Sequence, residues 1–421
     1  MTNGYVDLKY EPKATDLVCE FKVKSKLPLK KAAEHIAAES STGTWVDVLT
    51  APPYLRNLSA KVFYIKKPYV RIAYPIELFE PGNMPNILSS VAGNIFGMKV
   101  IDALRLEDIQ WPLELKQSFK GPLFGMEGVR KIVGVKDRPL CGTIVKPKLG
   151  LNANDHARVA YEAWVGGCDV VKDDENLSNQ KFNKFEERVE ATLKAKEKAE
   201  RETGEKKLYL ANVTAETNEM LKRAKYVKDL GGESIMVDVI TAGWSALQTL
   251  RDANDDLRLI LHGHRAMHAA FTRNPDHGIS MLVIADVCKL IGIDQLHIGT
   301  IYGKMEGGKR EVVLIEEEIE MEHVGERFSR LSEYWGHIKP MFAVCSGGLH
   351  PGHVEKLVKT LGKSIIIQAG GGIHGHPGGT IAGAKAMRQA IDAVTEGYTL
   401  KEYAKTHKEL AEALRYFSKK K

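Results

Sequence analysis

The chain has 421 residues, 43% of them hydrophobic, enough to fill the cores of a small domain and a barrel and too many for a disordered polypeptide. Its 60 basic and 54 acidic residues are interspersed, and the basic end at 419–421 is short, so a net charge of +6 excludes a nucleic-acid footprint and no nucleic-acid partner is expected. Five scattered cysteines without a CxxC suggest neither a disulfide framework nor a zinc site, and no apolar run reaches the roughly 18 residues that span a bilayer, so a cytoplasmic protein with no membrane partner is expected.

Residues 1–120 read as a small α+β domain. Strand-like runs at 17–23 and 61–74 surround helical stretches near 29–39 and 86–96. The Gly121-Pro122 pair marks the boundary, because such a pair commonly interrupts regular structure. From about Thr143 onward, short apolar runs alternate with helical patterns. Eight strands are expected at 143–147, 169–173, 208–214, 235–239, 259–264, 295–300, 342–346 and 364–369. Between them lie amphipathic stretches such as 155–165, 218–230 and 378–395. Eight alternations predict an α/β fold, a (β/α)8 barrel over 121–421.

Catalytic groups in such barrels gather at the C-terminal ends of the strands, and the least ordinary residues of this chain lie there. Lys146 and Lys148, two apart in an extended segment, would share a face and suit anion binding and proton transfer; a solvated surface pair fits that spacing as well. At the second strand end, Lys172, Asp174 and Glu175 put a lysine among carboxylates. An ammonium cannot ligate a cation, whereas a lysine that has reacted with carbon dioxide becomes a carbamate anion, and three such oxygen donors suit magnesium. A salt-bridged loop is the plainer alternative. His262, His264, Arg265 and His268 follow the fifth strand and His297 lies in the sixth, where they could bind phosphate and relay protons, although His262 reads better as a structural residue. Lys304, in the glycine-rich stretch 303–308, reads as a lid residue or as an ordinary loop lysine. Ser346-Gly347-Gly348 and Gly370-Gly371-Gly372 follow strands seven and eight, the usual phosphate site of these barrels. With Arg265 and His297 elsewhere on the rim, a substrate with a phosphate at each end becomes plausible.

Taken together, these residues resemble the large chain of ribulose-bisphosphate carboxylase/oxygenase. The matching motifs are Glu39-Ser-Ser-Thr-Gly-Thr44-Trp45, Gly93-Asn94-Ile-Phe-Gly, Lys146-Pro-Lys148, Lys172-Asp-Asp174-Glu175, His264-Arg265-Ala-Met-His268, Gly303-Lys304-Met-Glu-Gly and the two glycine loops. The resemblance implies a TIM barrel preceded by a ferredoxin-like domain. It implies carboxylation of ribulose 1,5-bisphosphate to 3-phosphoglycerate through a magnesium-bound enediolate, with oxygen competing for carbon dioxide. Lys172 would carry the carbamate and, with Asp174 and Glu175, hold Mg2+. Lys146, Lys148, His264 and Lys304 would complete the catalytic set. One phosphate would meet Thr44, Trp45, Lys304, Gly348, Gly370 and Gly371, and the other Arg265, His297 and Ser346, with Gly347 and Gln368 also at the substrate. Glu39, Thr44, Trp45 and Asn94 would come from a neighbouring subunit, which makes a homodimer, or an assembly of dimers, the working unit. The short first domain and residues 338–351 are closer to the archaeal form, which works without small subunits and is associated with nucleotide salvage. Ile144 stands where plant-type enzymes carry threonine, a difference in substrate contacts rather than in chemistry. A related enzyme that only enolises or isomerises, and a catalytically silent barrel, are the competing readings.

Overall fold

The computed structural model describes residues 4–43, 50–302 and 308–419. They divide into two compact units: Met1–Gly121 with Met267–Ile291 and Met321–Ile338, and Pro122–Ala266 with Gly292–Glu320 and Lys339–Lys421.

In the first unit the strand Leu17–Lys24 is followed by the helix Leu29–Glu39, the strands Lys61–Lys66 and Tyr69–Tyr74, the helix Met84–Val91 and the strand Ala103–Gln110. The helix Leu29–Glu39 buries Ile36 together with Ala32, Ala33 and Ala37, whose small side chains allow a close approach to its neighbours. Asn83 caps Met84–Val91 by accepting from the Asn86 amide. The sequence pattern at 61–74 resolves into two antiparallel strands turning at Lys67-Pro68, where proline offers no N–H to a ladder. Leu17–Lys24 pairs antiparallel with both Tyr69–Tyr74 and Ala103–Gln110, and Gly278–Ile279 adds a parallel edge. This βαββαβ order with Leu17–Lys24 central is the ferredoxin-like arrangement. Ala103–Gln110 escaped the sequence reading because charges break its apolar run. Those charges are buried with partners: Arg105 donates to the Thr272 and Asn274 carbonyls, and Asp108 accepts from the Leu331 amide.

In the second unit eight parallel strands close into a barrel: Leu140–Ile144, Val170–Lys172, Leu208–Asn212, Ser234–Asp238, Ile260–His264, Gln295–Gly299, Phe342–Ser346 and Ile365–Gln368. Every strand pairs with its successor in the chain, and the eighth pairs with the first. Alternate residues of a strand share a face, and in most of these strands one face changes character along its length: Leu208, Leu210, Asn212; Ile260, His262, His264; Phe342, Val344, Ser346. The lower residues join Leu140, Val170 and Ile366 in one apolar cluster, into which the helix Gly125–Val133 places Val129 and Val133. The upper residues are polar and form the site. The first strand ends at Ile144, three residues before its expected end, because the pairing segment starts at Leu140 rather than Thr143. Lys146 and Lys148 therefore lie in the following loop, and the expectation that they share a strand face does not hold. Among the described residues no helix is long and apolar enough to cross a membrane, and all five cysteines are buried and free.

Candidate active site

Lys172 ends the second strand with its side chain 1% exposed. Its Nζ donates to the Asp173 carbonyl at 2.7 Å, lies 3.3 Å from the Met236 sulfur, and stands 3.6 Å from Glu175 Oε2. Burial holds its proton affinity below that of an ordinary lysine, against the pull of Glu175 and Asp174. A buried amine that gives up its proton readily is a nucleophile. Burial tends to raise Asp174, but Lys146 Nζ at 2.8 Å and the Asn176 side chain and amide outweigh it and hold the carboxyl below its usual range. Glu175 is lowered in the same way, chiefly by Lys172 and then His264.

The residue between them faces the other way. Asp173 accepts from Tyr209 OH at 2.8 Å, the Asn212 amide at 3.0 Å and Arg188 Nε at 3.1 Å, with His156 Nε2 at 3.0 Å, all out of solvent. This clamp fixes the backbone on which Lys172 and Asp174 point together. Asn212, at the end of the third strand, ties down the following turn by donating to the Asp174, Glu175 and Leu177 carbonyls.

His264 lies across the mouth, its Nδ1 2.9 Å from Asp238 Oδ1 and its Nε2 3.7 Å from Glu175. Its ring is edge-on to His297 at 4.7 Å. Arg265 is buried against the backbone of Gly299, where a Cβ would collide with the guanidinium. Burial pushes Arg265 down to about 10, partly offset by Glu311. Gly347 and Gly348 have φ of +113° and +71°, which favour glycine. Gly370 leaves room for Lys146, since a Cβ there would lie 3.1 Å from Lys146 Cε.

The structure thus brings Lys146, Lys172, Asp174, Glu175 and His264 together, and Arg265, His297 and Ser346 along strands five to seven. Gln368 is buried, with neither amide atom partnered among the described residues. Lys148 is exposed in its loop, and Gly371 lies just inside the short helix after strand eight. Glu39 ends a helix of the first unit and Asn94 opens a short turn there. Thr44, Trp45 and Lys304 lie outside the described residues. The sequence reading missed Asp173, Asn212 and Asp238. Position was the available signal for the last two, since both end barrel strands.

Among the described residues no three His, Cys, Asp or Glu side chains converge as a ready metal site. The donor set fits a hard divalent cation only if Lys172 is carbamylated: Asp174 and Glu175 are then joined by a third anionic oxygen donor.

A closed parallel barrel with a buried lysine beside carboxylates at one strand mouth, and glycine loops after strands seven and eight, is the architecture of a TIM-barrel enzyme. Residues 125–417 match the model of the ribulose bisphosphate carboxylase large chain, catalytic domain, and residues 4–115 that of its N-terminal domain. The chain belongs to the ribulose bisphosphate carboxylase large-chain family. It is 54% identical to a ribulose bisphosphate carboxylase of Methanosarcina mazei over 100% of both chains, and 50% identical to one of Methanocaldococcus jannaschii over 98% of this chain and 99% of that one. Similar solved structures include the octameric Rubisco of Pyrococcus horikoshii (TM-score 0.93, 47% identity, 99% and 97% of the two chains) and the dimeric archaeal Rubisco of Hyperthermus butylicus (TM-score 0.93, 46% identity, 98% of each).

Proposed function

We propose that this chain carboxylates ribulose 1,5-bisphosphate, with oxygen as a competing substrate, and gives 3-phosphoglycerate. The observation that carries this reading is the buried Lys172 amine held 3.6 Å from Glu175 beside Asp174, in a chain of the carboxylase family. Carbon dioxide adds to the unprotonated Lys172 nitrogen: an N–C bond forms, a proton leaves and the side chain becomes an anion. Lys172 in this form, Asp174 and Glu175 would hold Mg2+, which when bound supplies Lewis-acid polarisation of substrate oxygens.

Lys172 so modified takes the proton from C3 of the substrate, leaving an enediolate that attacks carbon dioxide. His264, oriented through Nδ1 by Asp238, handles the proton at the C3 oxygen as water adds. The C2–C3 bond then breaks, and Lys146 returns a proton to the carbanion. Lys148 assists at the cation, and Lys304 supplies the ammonium that stabilises the new carboxylate. Arg265, His297 and Ser346 take one phosphate. Gly348, Gly370 and Gly371 take the other, with Thr44, Trp45 and Lys304, and Gly347 and Gln368 line the substrate. Glu39, Thr44, Trp45 and Asn94 serve the site of a second copy, so the working unit is a homodimer or an assembly of dimers without small subunits. The enzyme acts in the cytoplasm, in nucleotide salvage.

The test is fixation of labelled carbon dioxide by purified protein preincubated with bicarbonate and Mg2+, then given the bisphosphate. Labelled 3-phosphoglycerate that depends on both additions is expected. Proton exchange at a phosphorylated ketone with no fixation would transfer the assignment to an enolising enzyme of the same family.

A further inference from the structure

Inside strands five to seven four side chains form one line. His262 Nδ1 is 2.8 Å from the amide oxygen of Gln295, His262 Nε2 is 2.8 Å from His297 Nε2, and His297 Nδ1 is 2.7 Å from Ser346 Oγ. His262 and Gln295 are fully buried and His297 is 2% exposed. Burial pushes His262 down to about 3 and His297 well below the ordinary histidine range, so both rings are neutral and each carries one hydrogen.

One hydrogen per ring fixes the direction of the whole line. An amide oxygen only accepts, so His262 carries its hydrogen on Nδ1, and its bare Nε2 accepts from His297 Nε2–H. The bare His297 Nδ1 then accepts from the Ser346 hydroxyl. In this direction Ser346 turns its hydrogen inward and both nitrogens of His297 are engaged. An anion arriving at Ser346 would meet lone pairs.

Turning the Gln295 amide over reverses every bond. Its NH2 would donate to His262 Nδ1, His262 Nε2–H to His297 Nε2 and His297 Nδ1–H to Ser346 Oγ, which frees the hydroxyl hydrogen. One proton leaves His262 Nδ1 for water, one passes between the two Nε2 atoms, and one enters at His297 Nδ1 from water, so the net charge is unchanged. Gln295 Nε2 has no partner in the present direction, and turning the amide exchanges one unpaired atom for another. Of the side chains that could end this line, a carboxamide serves either direction.

We propose that Gln295 is a positioning residue for the phosphate site: it ends the His262–His297 line in either hydrogen direction, and a phosphate bound by Arg265 and Ser346 selects the reversed one. The inference rests on the assignment of Arg265, His297 and Ser346 to a substrate phosphate.

Long-range 15N–1H NMR of histidine-labelled full chain, with and without saturating inorganic phosphate, tests it. Without phosphate, His262 should be the Nδ1–H tautomer and His297 the Nε2–H tautomer; with phosphate, both should switch. Gln295→Met leaves an orphan at His262 Nδ1, and a bare acceptor is tolerated in a core better than a bare N–H. This variant should show the reversed tautomers without phosphate and a KM for the bisphosphate equal to or a few-fold below that of the parent. A side chain needed only for packing would give the opposite, a raised KM with unchanged tautomers. Unchanged tautomers in the parent protein with phosphate bound and carboxylation intact would overturn this inference alone, whether or not the variant folds. No response of His297 to phosphate, with no carboxylation, would overturn the phosphate assignment and the inference with it.

Discussion

Between the two residues that converge on the strand mouth, Asp173 points away, and its four partners are all buried. Burial alone would raise its pKa; Arg188, then His156 and the Asn212 amide, bring it far below the usual carboxylate range. A group that titrates lower when folded contributes stability above its unfolded pKa of about 4 and loses that contribution as the pH falls through its folded value. Asp173→Asn strands the Arg188 guanidinium, which should cost about 3–5 kcal/mol at pH 7. Urea unfolding of parent and variant should show that gap narrowing below about pH 4; a gap independent of pH would mean that the charge is not what holds the clamp. Lys172 titrates in the same sense for the opposite reason, since burial there favours the neutral amine. Activation by carbon dioxide should therefore rise with pH along a curve whose midpoint lies below the ordinary lysine value of about 10.4, as read by activity after timed preincubation. Lys172→Ala should fold and bind bisphosphate but turn over none. The sequence made Lys172, Asp174 and Glu175 legible because charge at a strand mouth is unusual. It hid Asp173, whose importance comes from Arg188 and His156, partners brought in from the helices Phe185–Thr203 and Ala153–Val165 by tertiary packing.

The loops after strands seven and eight are built by backbone touching backbone. A Cβ on Gly372 would overlap the Leu349 carbonyl, and one on Gly383, in the helix Gly379–Thr395, would overlap the Ile373 carbonyl. Overpacking of this kind typically costs about 1–3 kcal/mol. Gly372→Ala should lower the melting temperature and, by moving the Ser346–Leu349 turn, raise KM for the bisphosphate more than it lowers kcat. A variant with unaltered KM would show that loop seven holds its place without this contact. These glycines were legible as loops but not as contacts, because a run of three reads equally well as a flexible turn. The strands themselves were legible for a simpler reason: each is a short apolar run, and the run ends where the polar site begins. The first strand misled because Val145 continues its apolar character past the last paired residue, Ile144.

At the scale of the molecule, two observations bear on how the site is completed. On the proposed reading the barrel unit supplies the base, the cation donors and residues for both phosphates, while Glu39 and Asn94 belong to the other unit. The chain's fold relatives are dimeric and octameric. If the N-terminal motifs serve the barrel of a second copy, a subunit with an intact barrel and a defective first domain can be rescued by one with the reverse defect. Glu39→Gln and Lys172→Ala should each be inactive alone. Dissociated, mixed in equal amounts and reassembled at random, they form heterodimers in about half of the molecules, and one of the two sites in each is intact, so about a quarter of parental activity should return. Sites completed within a single chain would give no recovery at any ratio. As the mixing ratio is varied, activity should follow the product of the two fractions, with its maximum at equal amounts.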